Sequence, residues 1–193
     1  MIRLARESDL PEILEIYGPY ILNTIASFEY TVPTMEEFTA RFRGITEQFP
    51  WLVWEENGKI LGYAYASLPF HRAAYRWCAE SSIYVHSEAH GRGIGKRLQL
   101  TLEEILKQQG YALLYAVVTS ENKSSLAFHE KLGYTVTAEL PGCGYKFGRN
   151  LGITWLEKRF FSDVFPSKFP TDYRCIVKND NFFLHILAKI PLS

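Results

Sequence analysis

The chain has 193 residues, 47% of them hydrophobic, and its 21 basic and 21 acidic side chains cancel to a formal net charge of zero and a pI near 7.0. That length suits one domain with a substantial core, and the neutral balance excludes nucleic acid and anionic membrane surfaces as general partners. Cys78, Cys143 and Cys175 show no metal-ligand spacing and cannot all pair within one chain. With no signal peptide and no apolar run near the roughly 20 residues of a spanning helix, the expected setting is a reducing cytoplasm, with no membrane and no metal.

In chain order, Ile2 to Ala5 predicts a short strand. Ser8 or Asp9 then caps a helix with Pro11 in its first turn and Leu10, Ile13, Leu14 and Tyr17 on one face, broken or kinked at Gly18-Pro19. Thr34 and Glu37 form a capping box for a second helix, along which Phe38, Phe42, Ile45 and Phe49 recur at the helical period and predict core packing. Phe49 to Ala66 reads as two strands around Asn57-Gly58, a dipeptide suited to a tight hairpin turn. Ser82 to Val85 is a strand that runs into a glycine loop, and the helix opened there buries Ile94, Leu98, Leu102, Ile105 and Leu106 before ending at Gly110. Tyr111 to Val118, apolar almost throughout, predicts a central strand buried on both faces.

Asn122, followed three residues later by Ser125, starts a short helix that closes at Gly133. Tyr134 to Ala138 and Gly152 to Arg159 supply two further strands. The expected fold is an α/β sandwich with a mixed, mostly antiparallel sheet and helices on both faces, spanning residues 1–160. Residues 161–193 form an extension of unassigned role, punctuated by Pro166, Pro170 and Pro191. Its Phe182-Phe-Leu-His-Ile-Leu187 run is too apolar for a solvated tail, so it is expected to pack on its own domain or on a partner subunit.

An apolar strand running into a glycine loop that opens an amphipathic helix is a site for phosphates. Gly91, Gly93 and Gly95 leave the backbone without Cβ cover, so N–H groups close on an anion at the positive end of the helix. Arg92, Lys96 and Arg97 add positive charge. A nucleotide P-loop needs Ser or Thr after Gly95-Lys96, where Arg97 stands. A dinucleotide fingerprint needs Gly-x-Gly-x-x-Gly and an acid about 20 residues on, but the spacing here is Gly91-x-Gly93-x-Gly95 and Leu114 to Val118 is apolar. Taken alone, a glycine-rich turn that merely caps a helix is the remaining plain reading.

The loop resembles the acyl-CoA pyrophosphate loop of the GNAT acetyltransferase superfamily, Gln/Arg-x-x-Gly-x-Gly/Ala, with Gly93 and Gly95 as its glycines and His90 at the first position as a departure. Asn122 to Tyr134 is similar to the second CoA-contacting motif of that superfamily. Together with Ala74-Tyr-Arg-Trp77, Ala79-Glu-Ser-Ser-Ile-Tyr-Val85 and Gly144-Tyr-Lys-Phe-Gly148, the resemblance runs from about Ile2 to Phe160. It points to the phosphinothricin acetyltransferase-like branch, whose members acetylate the α-amino group of phosphinothricin or of methionine sulfone and sulfoximine. The resemblance implies a GNAT-type twisted sheet, acetyl-CoA as co-substrate, a small-molecule amine acceptor, and a homodimer with active sites near its interface. It places cofactor contacts on Ile83, Tyr84, Val85, Gly91, Arg92, Gly93, Ile94, Gly95, Lys96, Asn122 and Ser125.

Acetyl transfer to an amine needs a neutral nucleophile, a polarised thioester carbonyl and a proton for the departing thiolate. Glu80 matches the carboxylate that the branch's strand pattern assigns as base, whereas on composition alone it is an ordinary strand carboxylate. Backbone N–H groups around Tyr84 and Val85 are the expected polarising donors. His129, in Phe128-His129-Glu130-Lys131-Leu132-Gly133-Tyr134, falls where many superfamily members place Tyr, and an imidazole there hydrogen-bonds or protonates the sulfur. Arg72, Tyr75, Arg76, Phe28, Tyr30 and Lys146 match substrate-pocket segments, the cations suiting a carboxylate or phosphinate. Asn150 and Gly152 stand where branch members commonly have Trp and Asp, so the pocket wall or dimer contact made there is expected to differ. Cys78 is a weak acyl-carrier candidate, with no activating His nearby in sequence. The alternatives are acetylation of a protein N-terminus or ribosomal protein, and a non-catalytic acyl-CoA-binding module.

Overall fold

The computed structural model describes residues 1–161, 168–178 and 181–190, and its apolar side chains sort by strand alternation onto the two faces of one sheet. The strands are β1 (Ile2–Leu4), β2 (Trp51–Glu56), β3 (Lys59–Ser67), β4 (Cys78–Val85), β5 (Leu113–Thr119), β6 (Thr135–Lys146) and β7 (Arg149–Arg159). The helices are α1 (Leu10–Asn23), α2 (Met35–Thr46), α3 (Ile94–Gln109), α4 (Lys123–Lys131) and α5 (Asn181–Lys189). The sheet order is β1-β2-β3-β4-β5-β7-β6, antiparallel at every pairing but β4 with β5.

On one face Ala64, Ala66, Ala79, Leu114 and Ala116 meet Leu98, Leu102, Ile105 and Leu106 of α3. Burying each of those long aliphatic chains contributes about 1.5–3 kcal/mol. The small residues of β3 and β4 let the helix lie close: a Cβ on Gly62 would sit 3.3 Å from Ile94 and 3.1 Å from the Tyr84 carbonyl. On the other face Leu10, Ile13, Tyr17 and Ile21 of α1 and Phe38 and Phe42 of α2 cover Trp51, Val53 and Tyr63. The capping box of α2 forms in both directions, Glu37 N donating to Thr34 Oγ1 (3.2 Å) and Thr34 N to Glu37 Oε2 (2.8 Å). The hairpin turn also forms, with Asn57 and Gly58 at φ of 52° and 73°.

Four expectations are corrected. Helix α1 runs through Gly18-Pro19 without interruption, because Tyr17, Gly18 and Ile21 are buried there and Gly18 packs on Val32, so tertiary contact outweighs the lost N–H. Phe49 lies beyond the end of α2, though it is buried as expected. β5 is covered on its Leu114, Ala116 and Val118 face, while Tyr115 and Val117 are half-buried on a face that α1 and α2 do not reach. β6 and β7 are longer than expected: β6 continues through Pro141-Gly-Cys-Gly144, with register shifts at 136/138 and 140/144. An edge strand tolerates Pro at such bulges. The bulge also accounts for Gly152, where a Cβ would sit 3.2 Å from the Leu140 carbonyl, Pro141 Cα and Ser120 Oγ.

β4 and β5 pair along Cys78–Glu80 and Leu113–Tyr115 and then diverge. A buried polar chain braces the fork: Gln99 Nε2 donates to Ser81 Oγ (3.2 Å) and Tyr134 OH (2.7 Å), Tyr134 OH donates to Glu103 Oε1 (2.9 Å), and Lys158 Nζ bridges to Glu103 Oε2 (2.5 Å). Described parts of the extension pack on this same framework. Thr171 N donates to Gln109 O (2.8 Å), Gln109 Nε2 donates to Thr171 O (2.8 Å), and Tyr173, Phe183 and Ile186 are buried, the first two within the α3 core. Pro166 and Pro191 lie outside the described residues.

Candidate active site

Between the diverging ends of β4 and β5 lies a cavity of about 810 Å³, lined by Ser81 to Val85, Ala116 to Thr119, the loop and first turn of α3, and the start of α4. Gly91 and Gly93 both hold φ of 75°, which confines those positions to glycine, and nothing lies within 4 Å of either Cβ position. Gly93 is the N-cap of α3 and no side chain caps that helix. The first-turn N–H groups, with Lys96 beside them, therefore suit an anion at the positive helix end. Asn122 caps α4, its Oδ1 accepting from Ser125 N (3.2 Å), and both residues line the cavity. Arg92 is turned aside, its guanidinium on Glu56 (2.7 Å).

The backbone of β4 has a definite polarity. His86 N donates to Leu61 O (2.9 Å), so by alternation the N–H groups of Ser82 and Tyr84 also face β3 and those of Ile83 and Val85 face the fork. Of the N–H groups expected to polarise a carbonyl around Tyr84 and Val85, that of Tyr84 is turned to β3; those of Ile83 and Val85 are on the fork side, where Val85 N also approaches Tyr20 OH (3.4 Å). Tyr20, which sequence reading passed over, reaches the same strand: its OH donates to Val85 O (2.6 Å), an acceptor shared with His90 Nε2 (3.0 Å). His90, the departure at the first loop position, is thereby tied to β4.

His129 lines the cavity and is 3% exposed. Its Nδ1 bonds the Ser125 carbonyl (2.8 Å), which accepts and cannot donate, so Nδ1 carries the hydrogen. Burial pushes the imidazole pKa down, and the neutral ring presents a bare lone pair at Nε2, which has no partner among the described residues. In this protonation state Nε2 accepts a hydrogen bond and carries no proton to give.

Glu80 lies one residue beyond the cavity, whose edge is formed by Ser81 and Ser82. Its pKa is raised by burial, with no cation acting against the shift. Alternation directs Glu80, Ser82 and Tyr84 to the face opposite α3, where Phe70, Tyr75, Tyr115 and Trp155 gather. Phe70 stacks on Trp155 (5.7 Å, 6°) and tilts against Tyr75 (4.7 Å), and Tyr115 is the register partner of Glu80. Of these four, Tyr75 was anticipated; the others were not singled out, because no sequence pattern shows which face of β5 and β7 stays uncovered.

The remaining candidates separate. Phe28 lies against Gly144, where any Cβ would collide with its ring, and Tyr30 OH donates to Tyr145 O. Lys146 is buried, its ammonium donating to the carbonyls of Ile21 (2.7 Å), Thr24 (3.1 Å) and Ser27 (2.5 Å). All three of its donors are used, so it pins the end of α1 and has none left for a ligand. Arg72 and Arg76 line a second cleft of about 500 Å³ at the other end of the strands, between the β3–β4 loop and Phe169 to Asp172. Burial raises the Cys78 thiol pKa, the opposite of what an acyl carrier requires.

A forked parallel pair, an uncapped glycine-led helix and a cavity of this size fit an acyl-CoA-dependent transferase. Comparison with known proteins agrees. The family described as "Acetyltransferase (GNAT) domain" matches residues 2–155. Phosphinothricin N-acetyltransferase of Alcaligenes faecalis is 39% identical over 161 residues, covering 81% of this chain and 81% of that protein. An L-methionine sulfoximine/L-methionine sulfone acetyltransferase of Salmonella typhimurium is 35% identical, covering 81% and 92%. The crystal structure of a phosphinothricin acetyltransferase from Sinorhizobium meliloti in complex with AcCoA superposes with a TM-score of 0.82 at 36% identity, covering 89% of this chain and 92% of that one. The chain belongs to the GNAT acetyltransferase family and is an acetyl-CoA-dependent N-acetyltransferase.

Proposed function

We propose that the acceptor is the α-amino group of a small amino-acid-like molecule of the phosphinothricin, methionine sulfone or methionine sulfoximine type, deprotonated by Glu80 on the face opposite α3. The observation that carries this reading is Glu80 itself, a carboxylate whose pKa is raised by burial alone, beside an aromatic cluster and one residue from the cavity edge. A carboxyl shifted toward neutrality is a better proton acceptor for an ammonium group than one held low by an ion pair.

In this reading acetyl-CoA supplies an activated acyl group. Gly91, Gly93, Gly95 and the first turn of α3, from Ile94 to Lys96, hold its pyrophosphate, Asn122 and Ser125 hold the start of α4 against it, and Ile83 and Val85 N–H groups orient its acyl arm. Glu80 takes one proton from the ammonium, and the second proton shed by the nitrogen balances the charge of the departing thiolate. Nε2 of His129 accepts a hydrogen bond from the cofactor arm. The aromatic cluster, with Phe28 and Tyr30 at the β6–β7 hairpin, walls the acceptor side, and Arg72 and Arg76 supply charge at its far end. The protein works as a homodimer in a reducing cytoplasm. Exposed Val136, Leu140, Tyr145 and Phe147 on β6 and its turn support the first point, and free Cys143 and Cys175 on the surface support the second. Among the described residues no helix is long and apolar enough to cross a membrane.

Thiol release from acetyl-CoA is to be measured with the purified protein against amino acids that include these three compounds. Turnover with at least one of them is expected. Acetyl-CoA binding with no amine-stimulated release would overturn the small-molecule reading and favour a protein acceptor.

A further inference from the structure

The segment 168–174 lies outside the family match and is attached to the frame on one side and to the β3–β4 loop on the other. On the frame side, the paired bonds between Thr171 and Gln109 hold it to the end of α3, Tyr173 OH donates to Thr46 O (3.3 Å), and Arg174 Nη2 donates to Glu47 O (3.0 Å) at the end of α2. On the loop side, Trp77 Nε1 donates to Lys168 O (3.1 Å), and the Phe169 ring meets Trp77 (5.0 Å) and the Arg76 guanidinium (4.9 Å). Trp77 directly precedes β4, whose third residue is Glu80. Arg72, Tyr75 and Arg76 are exposed and their loop pairs with no strand among the described residues, so its position rests on side-chain contacts: Tyr75 against Phe70 (4.7 Å) on one side and the 168–169 contacts at Arg76 and Trp77 on the other.

We propose that residues 168–174 are a strap and that Phe169 is the positioning residue that holds the Arg72–Arg76 loop against the entrance to β4, setting the cations for an anionic group of the acceptor. The inference rests on the proposed function, in which this loop borders the acceptor side. The strap also forms one wall of the cleft that holds Arg72 and Arg76, so the arginines keep a fixed spacing from the aromatic cluster through Phe70, which lines that cleft and stacks on Trp155. Held arginines bind a carboxylate or phosphinate without first having to be ordered.

The test uses the full chain with Phe169→Ala and Phe169→Tyr. The Phe169 ring is 56% exposed, so its truncation leaves the core intact. Loss of one aromatic pair and one cation–π contact shifts loop opening about five- to seventyfold. Tryptic cleavage after Arg72 and Arg76 is expected to accelerate by that factor in Phe169→Ala while cleavage after Arg149 holds its rate, with Phe169→Tyr matching the parent. The KM for the amine is expected to rise by a similar factor, with kcat and the KM for acetyl-CoA unchanged. Equal cleavage rates in parent and Phe169→Ala would overturn the strap, and faster cleavage with an unmoved amine KM would overturn its role in acceptor binding. Should the parent acetylate no amine, the proposed acceptor fails separately, and the cleavage rates still decide whether the strap exists.

Discussion

Replacing Glu80 with Gln separates the base role from a structural one, because the two predict opposite signs for stability. Burial raises the Glu80 pKa in the folded state above its ordinary value of 4.5 and no cation offsets it, so the folded protein binds this proton more tightly than the unfolded chain. Stability contributed by the protonated form is complete at pH below the unfolded value and is lost as pH rises through the folded value. At pH 8 the parent therefore carries the cost of a buried charge, about 1.4 kcal/mol for every tenfold by which folding tightens proton binding, and Gln removes that cost. Glu80→Gln is expected to melt higher than the parent at pH 8 and at the same temperature near pH 4. Activity moves the other way: loss of a positioned general base costs about 10²–10⁴ in rate, or roughly 3–5 kcal/mol of barrier. Thermal melts at the two pH values and kcat/KM with a saturating amine check both halves. A Glu80→Gln enzyme within tenfold of the parent, or one that melts lower at pH 8, would refute the assignment.

Three other outcomes follow from particular contacts. Gly93→Ala forces a side chain onto φ of 75° at a cost of about 1–2 kcal/mol and places a methyl in the phosphate cradle, so acetyl-CoA KM should rise at least about tenfold, read by initial rates, while the KM for the amine stays put. His129→Phe removes one accepted hydrogen bond, worth about 0.5–1.5 kcal/mol, so acetyl-CoA KM should rise roughly two- to thirteenfold; a hundredfold fall in kcat would instead mark it as the proton donor. Lys158→Met leaves the Glu103 carboxylate buried without its cation, a loss of about 3–5 kcal/mol in urea unfolding at pH 8 that should shrink at pH 5 as the carboxyl protonates.

The frame was legible wherever local chemistry dictates it. The Thr34–Glu37 box, the Asn57-Gly58 turn, the apolar spine of α3 and the Asn122 cap are each set by neighbours within a few residues, and all are present. Gly18-Pro19 and Pro141 to Gly144 misled for a common reason: their local cost is outweighed by long-range contacts, with Val32 in one case and with β7 in the other. Gly152 reads in sequence only as a departure at the pocket wall or dimer contact, and the crowding of its Cβ position by the β6 bulge is visible only in three dimensions. The cofactor loop was readable because its backbone demands glycine. Acceptor-side residues were harder to read. The roles of Phe70, Tyr115 and Trp155 depend on which sheet face α1 and α2 leave bare, and Lys146 looks the same in sequence whether it meets a ligand or three carbonyls.

The most direct test of the account is a single turnover with acetyl-labelled acetyl-CoA, run with and without methionine sulfone and followed for thiol, labelled product and labelled protein. Direct transfer predicts thiol release that requires the amine, with equimolar label on its nitrogen and none on the chain. Thiol release without the amine, with label retained on Cys78 or any other residue, would contradict it.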